Sequence, residues 1–153
     1  MISNSIPGSV GWVVKTNDGS IVLMDEFIEV LARASMGRLD FDNLTSEELV
    51  EILVENKVLK NGEISINDLD NKVTNYDVAI ILAKVDMKIR NHEQVISNIR
   101  YTDLKNIDEV GQALISHSVG RGFFKQSTTK IFNPDKTLTR AELSEIMYLF
   151  VNK

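Results

Sequence analysis

Between Tyr101 and Phe150 the chain reads YTDLKNIDEVGQALISHSVGRGFFKQSTTKIFNPDKTLTRAELSEIMYLF. Two stretches of helical periodicity flank a glycine-containing loop and a turn signal, Asn133-Pro134-Asp135. The second helix opens on Thr139-Arg140-Ala141-Glu142. Weaker copies of the same plan lie upstream, and a recurring unit points to a repeat architecture.

The second helix carries Leu143, Ile146, Met147 and Phe150, spaced i, i+3, i+4, i+7, which draws one apolar stripe along a helix. Val78, Ile81, Leu82 and Val85 follow Asp77 at the same spacing, as do Phe27, Val30, Leu31 and Ala34 after Glu26. Each stripe stands directly behind a carboxylate. Thr139-x-x-Glu142 and Thr74-x-x-Asp77 read as capping boxes. In each, the hydroxyl accepts from an orphan backbone N–H and the carboxylate reaches back to the N–H of the cap. Leu23 holds the threonine's place in the first copy, so that helix has a different cap or none.

The preceding helix occurs twice. Leu49, Ile52 and Leu53 correspond to Val110, Ala113 and Leu114, behind Thr45-x-x-Glu48 and Asn106-x-x-Glu109. Each helix runs into a turn, Val58-Leu59-Lys60-Asn61-Gly62 or Val119-Gly120-Arg121-Gly122, and Asp42 and Asp103 precede them at matching distance. The first copy lacks a leading helix. Gly11-Trp12-Val13-Val14 and Ser20-Ile21-Val22 read instead as extended segments about Thr16-Asn17-Asp18-Gly19. They form either a short β-hairpin over the end of the bundle or the tail of a truncated repeat. The chain thus divides into 1–38, 39–88 and 89–153, all within one compact all-α domain.

Bulk properties narrow the function. The 153 residues, 43% of them hydrophobic, suffice for one core. A net charge of −5 argues against nucleic acid as the main partner. Locally the sign reverses: Arg121, Lys125, Lys130, Lys136 and Arg140 face Asp135 alone, a patch able to attract an anion. No cysteine is present, which excludes disulfides, thiolate metal sites and a cysteine nucleophile. No run approaches the ~20 apolar residues of a membrane span. MISNSIPGSVGWVVK lacks the basic start and apolar stretch of a signal peptide. The expectation is an intracellular protein, or a piece or mature form of an exported one.

At these residues the chain resembles the S-layer homology family. Tyr101-Thr102-Asp103 is similar to that family's aromatic-x-Asp opening, and Val119-Gly120-Arg121-Gly122 to its glycine turn. Phe132-Asn133-Pro134-Asp135-Lys136-Thr137-Leu138-Thr139-Arg140-Ala141-Glu142 matches its F-x-P…T-R-A-E signature closely. The resemblance implies three helix-loop-helix repeats, the first two degenerate, packed as a pseudo-threefold bundle. It implies a non-enzymatic module without cofactor or metal that anchors proteins to the bacterial cell wall. Its partner would be a secondary cell-wall polysaccharide or peptidoglycan-linked polymer, often carrying an acidic pyruvyl ketal, held in an inter-repeat groove. Arg140 and Asp103 hold the matching groove positions, with Arg121 and Lys125 as helpers. A guanidinium meets a carboxylate in a planar, bidentate fashion, and an aspartate accepts from sugar hydroxyls. Phe123, Phe124 or Phe132 would support a sugar ring. Asn75-Tyr76-Asp77 and Met24-Asp25-Glu26 stand where the other copies would carry Arg-Ala-Glu, so the arginine survives once.

That departure keeps open an alternative, a protein–protein interaction or assembly module that retained the scaffold and lost the glycan. An enzyme has least support. His117 sits at a stripe edge opposite Asn56 in the other copy, with no serine or acid at a recognisable spacing, and His92 reads as surface. Trp12 reads as a core or capping residue. Asn133-x-Asp135-x-Thr137 lacks the glycine and glutamate of a calcium loop, and no P-loop, dinucleotide or zinc motif occurs.

Overall fold

The computed structural model describes residues 19–36, 44–98, 100–125 and 130–153. Among them are five α-helices: α1 (Met24–Met36), α2 (Ser46–Glu55), α3 (Asn75–Lys88), α4 (Glu109–Gly120) and α5 (Arg140–Val151), with a short 3-10 helix at Ile66–Asp70. The fold is all-α as expected. Most of the proposed N-terminal hairpin, including Trp12, lies outside the described residues, as does Asp42.

Three short extended segments lead into α1, α3 and α5, and they hydrogen-bond to one another in a closed ring. Val22 N–H donates to Leu138 O (2.9 Å), Leu138 N–H to Val73 O (3.1 Å), and Val73 N–H to Val22 O (3.0 Å). A second ring surrounds the first. Met24 N–H donates to Asn71 O (2.8 Å), Asn75 N–H to Lys136 O (2.9 Å), and Arg140 N–H to Ser20 O (2.9 Å). In every case the first residue of a helix donates to the residue three before the cap of another helix. The ring residues Val22, Val73 and Leu138 are buried, so these backbone groups have no water to fall back on and must pair.

The helices begin where the capping patterns place them. Thr45, Thr74 and Thr139 each accept from the N3 N–H while Glu48, Asp77 and Glu142 return to the cap N–H. In α1 half of this survives: Glu26 Oε1 accepts from Leu23 N–H at 3.2 Å. For α4 the expectation fails. Asp108, not Asn106, is the cap, its Oδ1 accepting from Gly111 N–H at 2.8 Å.

The stripes Phe27-Val30-Leu31, Val78-Ile81-Leu82-Val85 and Leu143-Ile146-Met147-Phe150 are all buried in one cluster with Leu49 and Leu53. The inward face of α4 is displaced by one residue from the expected stripe. Val110 is exposed and Ala113 half-buried, whereas Leu114 is buried as expected and is joined on the inward face by Gly111, Ile115 and Ser118. A Cβ at Gly111 would lie 2.6 Å from Ile107 Cγ2, so a larger residue there would have to displace the Ile107 side chain. Small residues also bring α4 near α3, where Ser118 Oγ donates to Ala79 O at 2.6 Å.

The exits from α2 and α4 match bond for bond. Lys57 N–H reaches Val54 O and Val58 N–H reaches Leu53 O; Gly122 N–H reaches Val119 O and Phe123 N–H reaches Ser118 O. This is a Schellman pair with Lys57 (φ 65°) and Gly122 (φ 83°) in the left-handed region. It sets Asn56 against Arg121 rather than against His117.

Candidate functional site

Asn75 and Lys136 are neighbours in the outer ring, and the surface beside them opens into a groove of about 450 Å³. Phe132 forms its apolar heart, with Tyr101 (5.4 Å between ring centroids) on one side and Phe124 (5.4 Å) on the other. Lys125, Lys136, Glu142 and Glu145 border it. Asn75 ties it to the start of α3, its Nδ2 donating to Phe132 O (3.2 Å) and Asn133 O (3.1 Å). Each lysine meets a glutamate, Lys125 with Glu145 at 3.0 Å and Lys136 with Glu142. Burial pushes the Glu142 carboxyl up, but hydrogen bonds from Lys136 and the Thr139 cap outweigh it and leave the pKa lowered. Burial first, and the charge of Asp103 second, raise the Tyr101 phenol, which stays a neutral donor. Aromatic faces, amides and exchangeable ion pairs in one groove suit a polyhydroxylated, partly charged ligand.

Of the four residues singled out from sequence, Lys125 lines this groove and the others have separate partners. Both oxygens of Asp103 accept from backbone, Phe132 N–H at 3.0 Å and Asn133 N–H at 2.8 Å. Its carboxylate thereby shapes the loop whose aromatic ring fills the groove. Asn133 takes φ 58° there, a left-handed conformation that asparagine tolerates. Arg140, the first residue of α5, forms an ion pair with Glu26 in the first turn of α1. Phe123 and Phe132 are buried, so of the three phenylalanines Phe124 alone keeps substantial exposure.

Arg121 belongs to a buried ionic node that the sequence reading missed. Asp86, fully buried on α3, accepts from His117 Nε2 (2.7 Å) and Arg121 Nε (2.9 Å) and lies 2.7 Å from His92 Nδ1, with Arg90 Nε at 3.4 Å. Val95 N–H donates to His117 Nδ1 at 2.9 Å. That bond makes Nδ1 an acceptor, so the His117 proton sits on Nε2 and points at Asp86. Burial works to raise the Asp86 pKa, yet the bonds from His92, His117 and Arg121 prevail and lower it. Arg90 also donates to Phe150 O (2.9 Å) and lies 4.4 Å over the Phe150 ring, and Arg121 Nη2 reaches Lys153 O (3.2 Å). The node therefore joins α3, α4 and the end of α5. His92 is a partner of Asp86 rather than plain surface. A legible signal existed: α3 has a second inward face, Ala79-Ala83-Asp86, and an acid on such a face requires buried partners.

No family model matches this chain, and no curated protein or solved structure matches it at a significant level. Among the described residues no helix is long and apolar enough to cross a membrane.

Proposed function

We propose that the chain is a non-catalytic cell-wall attachment module of S-layer homology type, built from three helix-loop-helix repeats, the first two degenerate, about a pseudo-threefold axis. The observation that carries this reading is the double ring of backbone hydrogen bonds, in which the segments ahead of α1, α3 and α5 play interchangeable roles. Divergent copies of one repeat would be expected to keep such a ring while their side chains change. The groove between the second and third copies is the site we assign to an anionic wall polysaccharide. Phe124 and Tyr101 receive a sugar ring, and Lys125 and Lys136 exchange their glutamate partners for ligand carboxylates. At the junction of the third copy with the first, Arg140 would exchange Glu26 for ligand in the same way.

Sedimentation with purified bacterial wall material, before and after extraction of its secondary polymer, tests the proposal. The expected outcome is binding that disappears on extraction and falls on Lys125→Glu with Lys136→Glu. Absence of binding by the unmodified chain, or full binding by the double variant, would reject the groove.

A second reading, an assembly module that has lost the glycan, is favoured by the engagement of Arg140 with Glu26 and of Asp103 with backbone. It predicts no wall binding together with a stable protein partner.

A further inference from the structure

The outer face of α2 plays no part in either ring, in the ionic node or in the aromatic groove. This helix buries Leu49 and Leu53 and turns Glu47, Glu51 and Glu55 to solvent. At four-residue intervals and a rise of about 1.5 Å per residue, the three carboxylates form a line about 12 Å long. None of them has an ion-pair partner among the described residues. Alongside runs a groove of about 540 Å³ with an apolar floor of Val50, Val54, Ile64, Ile66 and Leu69, and among the described residues no basic one lines it. The 3-10 helix holds Ile66 outward, 61% exposed, and its start is fixed by Ser65 N–H donating to Asp68 Oδ2 at 2.8 Å.

We propose that this groove docks a basic amphipathic helix of a partner protein. Its aliphatic side chains would cover the floor, and lysines or arginines at i, i+4 would face Glu47, Glu51 and Glu55. The charge of the rim sets the sign of the partner. The described walls set its conformation: they are a helix and a 3-10 turn with no strand edge among the described residues, so an extended peptide would find no ladder there for its backbone groups. A helix satisfies its own. The inference stands apart from wall binding, since it shares no residue with the aromatic groove.

The test uses a synthetic helical peptide with leucines at i, i+3, i+4 and i+7 flanked by lysines, and a twin with glutamate in place of lysine. The full chain is titrated with each by fluorescence anisotropy, and amide shifts map the contact. The lysine peptide is expected to bind, moving amides of α2 and residues 61–66, while the glutamate twin does not. Glu51→Lys should weaken binding about three- to tenfold and Ile66→Asp more, with Glu93→Lys on another exposed surface neutral. Equal binding of both peptides would overturn the proposal. So would a Glu93→Lys effect as large as that of Glu51→Lys, or shifts mapped elsewhere. A concentration-dependent dimer abolished by Ile66→Asp would also overturn it, in favour of a second copy of this chain.

Discussion

The first turn of α3 joins the other ring segments through backbone hydrogen bonds, beside its own cap and the Asn75 amide, whereas its last turn joins its neighbours through side chains. At the start, Val73 gives a hydrogen bond to Val22 and receives one from Leu138, and Asn75 gives one to Lys136. At the end, Asp86 gathers His92, His117, Arg90 and Arg121. Backbone bonds are indifferent to side-chain identity, so Ile21-Val22-Leu23, Lys72-Val73-Thr74 and Thr137-Leu138-Thr139 fill one role while sharing only an apolar middle residue. The node demands particular residues and is built once among the described residues. In α5 the place twelve residues past the cap, held by Asp86 in α3, is occupied by Val151. The similar segments therefore share the ring and do not share the node.

This contrast breaks first at Asp86. Asp86→Ala leaves buried His117 and two arginines without their shared acceptor and should lower the unfolding free energy by about 3–5 kcal/mol, measured by urea denaturation. A loss near that of an ordinary surface change would remove the node as a determinant of stability. The same carboxyl gives a pH signature. Its folded pKa lies below the unfolded value, so the native state binds fewer protons there. Its contribution is full above about pH 4 and drains away as pH falls through the folded pKa. Glu142, also lowered, acts in the same direction, whereas Asp77, raised by burial, acts against it. Asp86→Asn should flatten the acid limb of the stability curve, and an unchanged limb would place the acid sensitivity elsewhere.

At the ring the expected losses are smaller and, more tellingly, alike. Val22→Ala and Val73→Ala should each cost about 2 kcal/mol, since both delete the same buried methyls and spare the backbone bonds. Values differing severalfold would break the equivalence of the two segments. Thr74→Ala and Thr139→Ala should each cost about 1 kcal/mol through the lost cap, and matched melting shifts would sharpen the correspondence of α3 and α5. Smallest is the Arg140–Glu26 pair, partly solvated on both sides, for which a double-mutant cycle with Arg140→Met and Glu26→Gln should return about 0.5–1 kcal/mol.

How much of this was legible follows from the range of the physics involved. The three stripes and the threonine caps are local patterns spanning a turn or two, and they were read correctly at Thr45, Thr74 and Thr139. Asn106 competed with Asp108 two residues later, and spacing alone could not rank two good caps. The face of α4 was misplaced by one residue because Gly111, a buried contact, has no hydropathy to advertise it. Asp103, Arg140 and Arg121 were recognised as charges of consequence, but their partners Phe132, Glu26 and Asp86 stand 29, 114 and 35 residues away. Nothing in the composition of a charged residue tells which distant group it will meet.

The outer ring places Ser20 beside Arg140 and so ties the first described helix to the last. During synthesis, neither the segment ahead of α1 nor the start of α3 can complete its hydrogen bonding until residues 136–140 have left the ribosome. The earlier helices would wait with exposed donors and greasy flanks, a state that invites chaperone capture or pairing with another nascent chain. Such closure, dependent on contacts far apart in sequence, favours slow and all-or-none assembly over stepwise accretion.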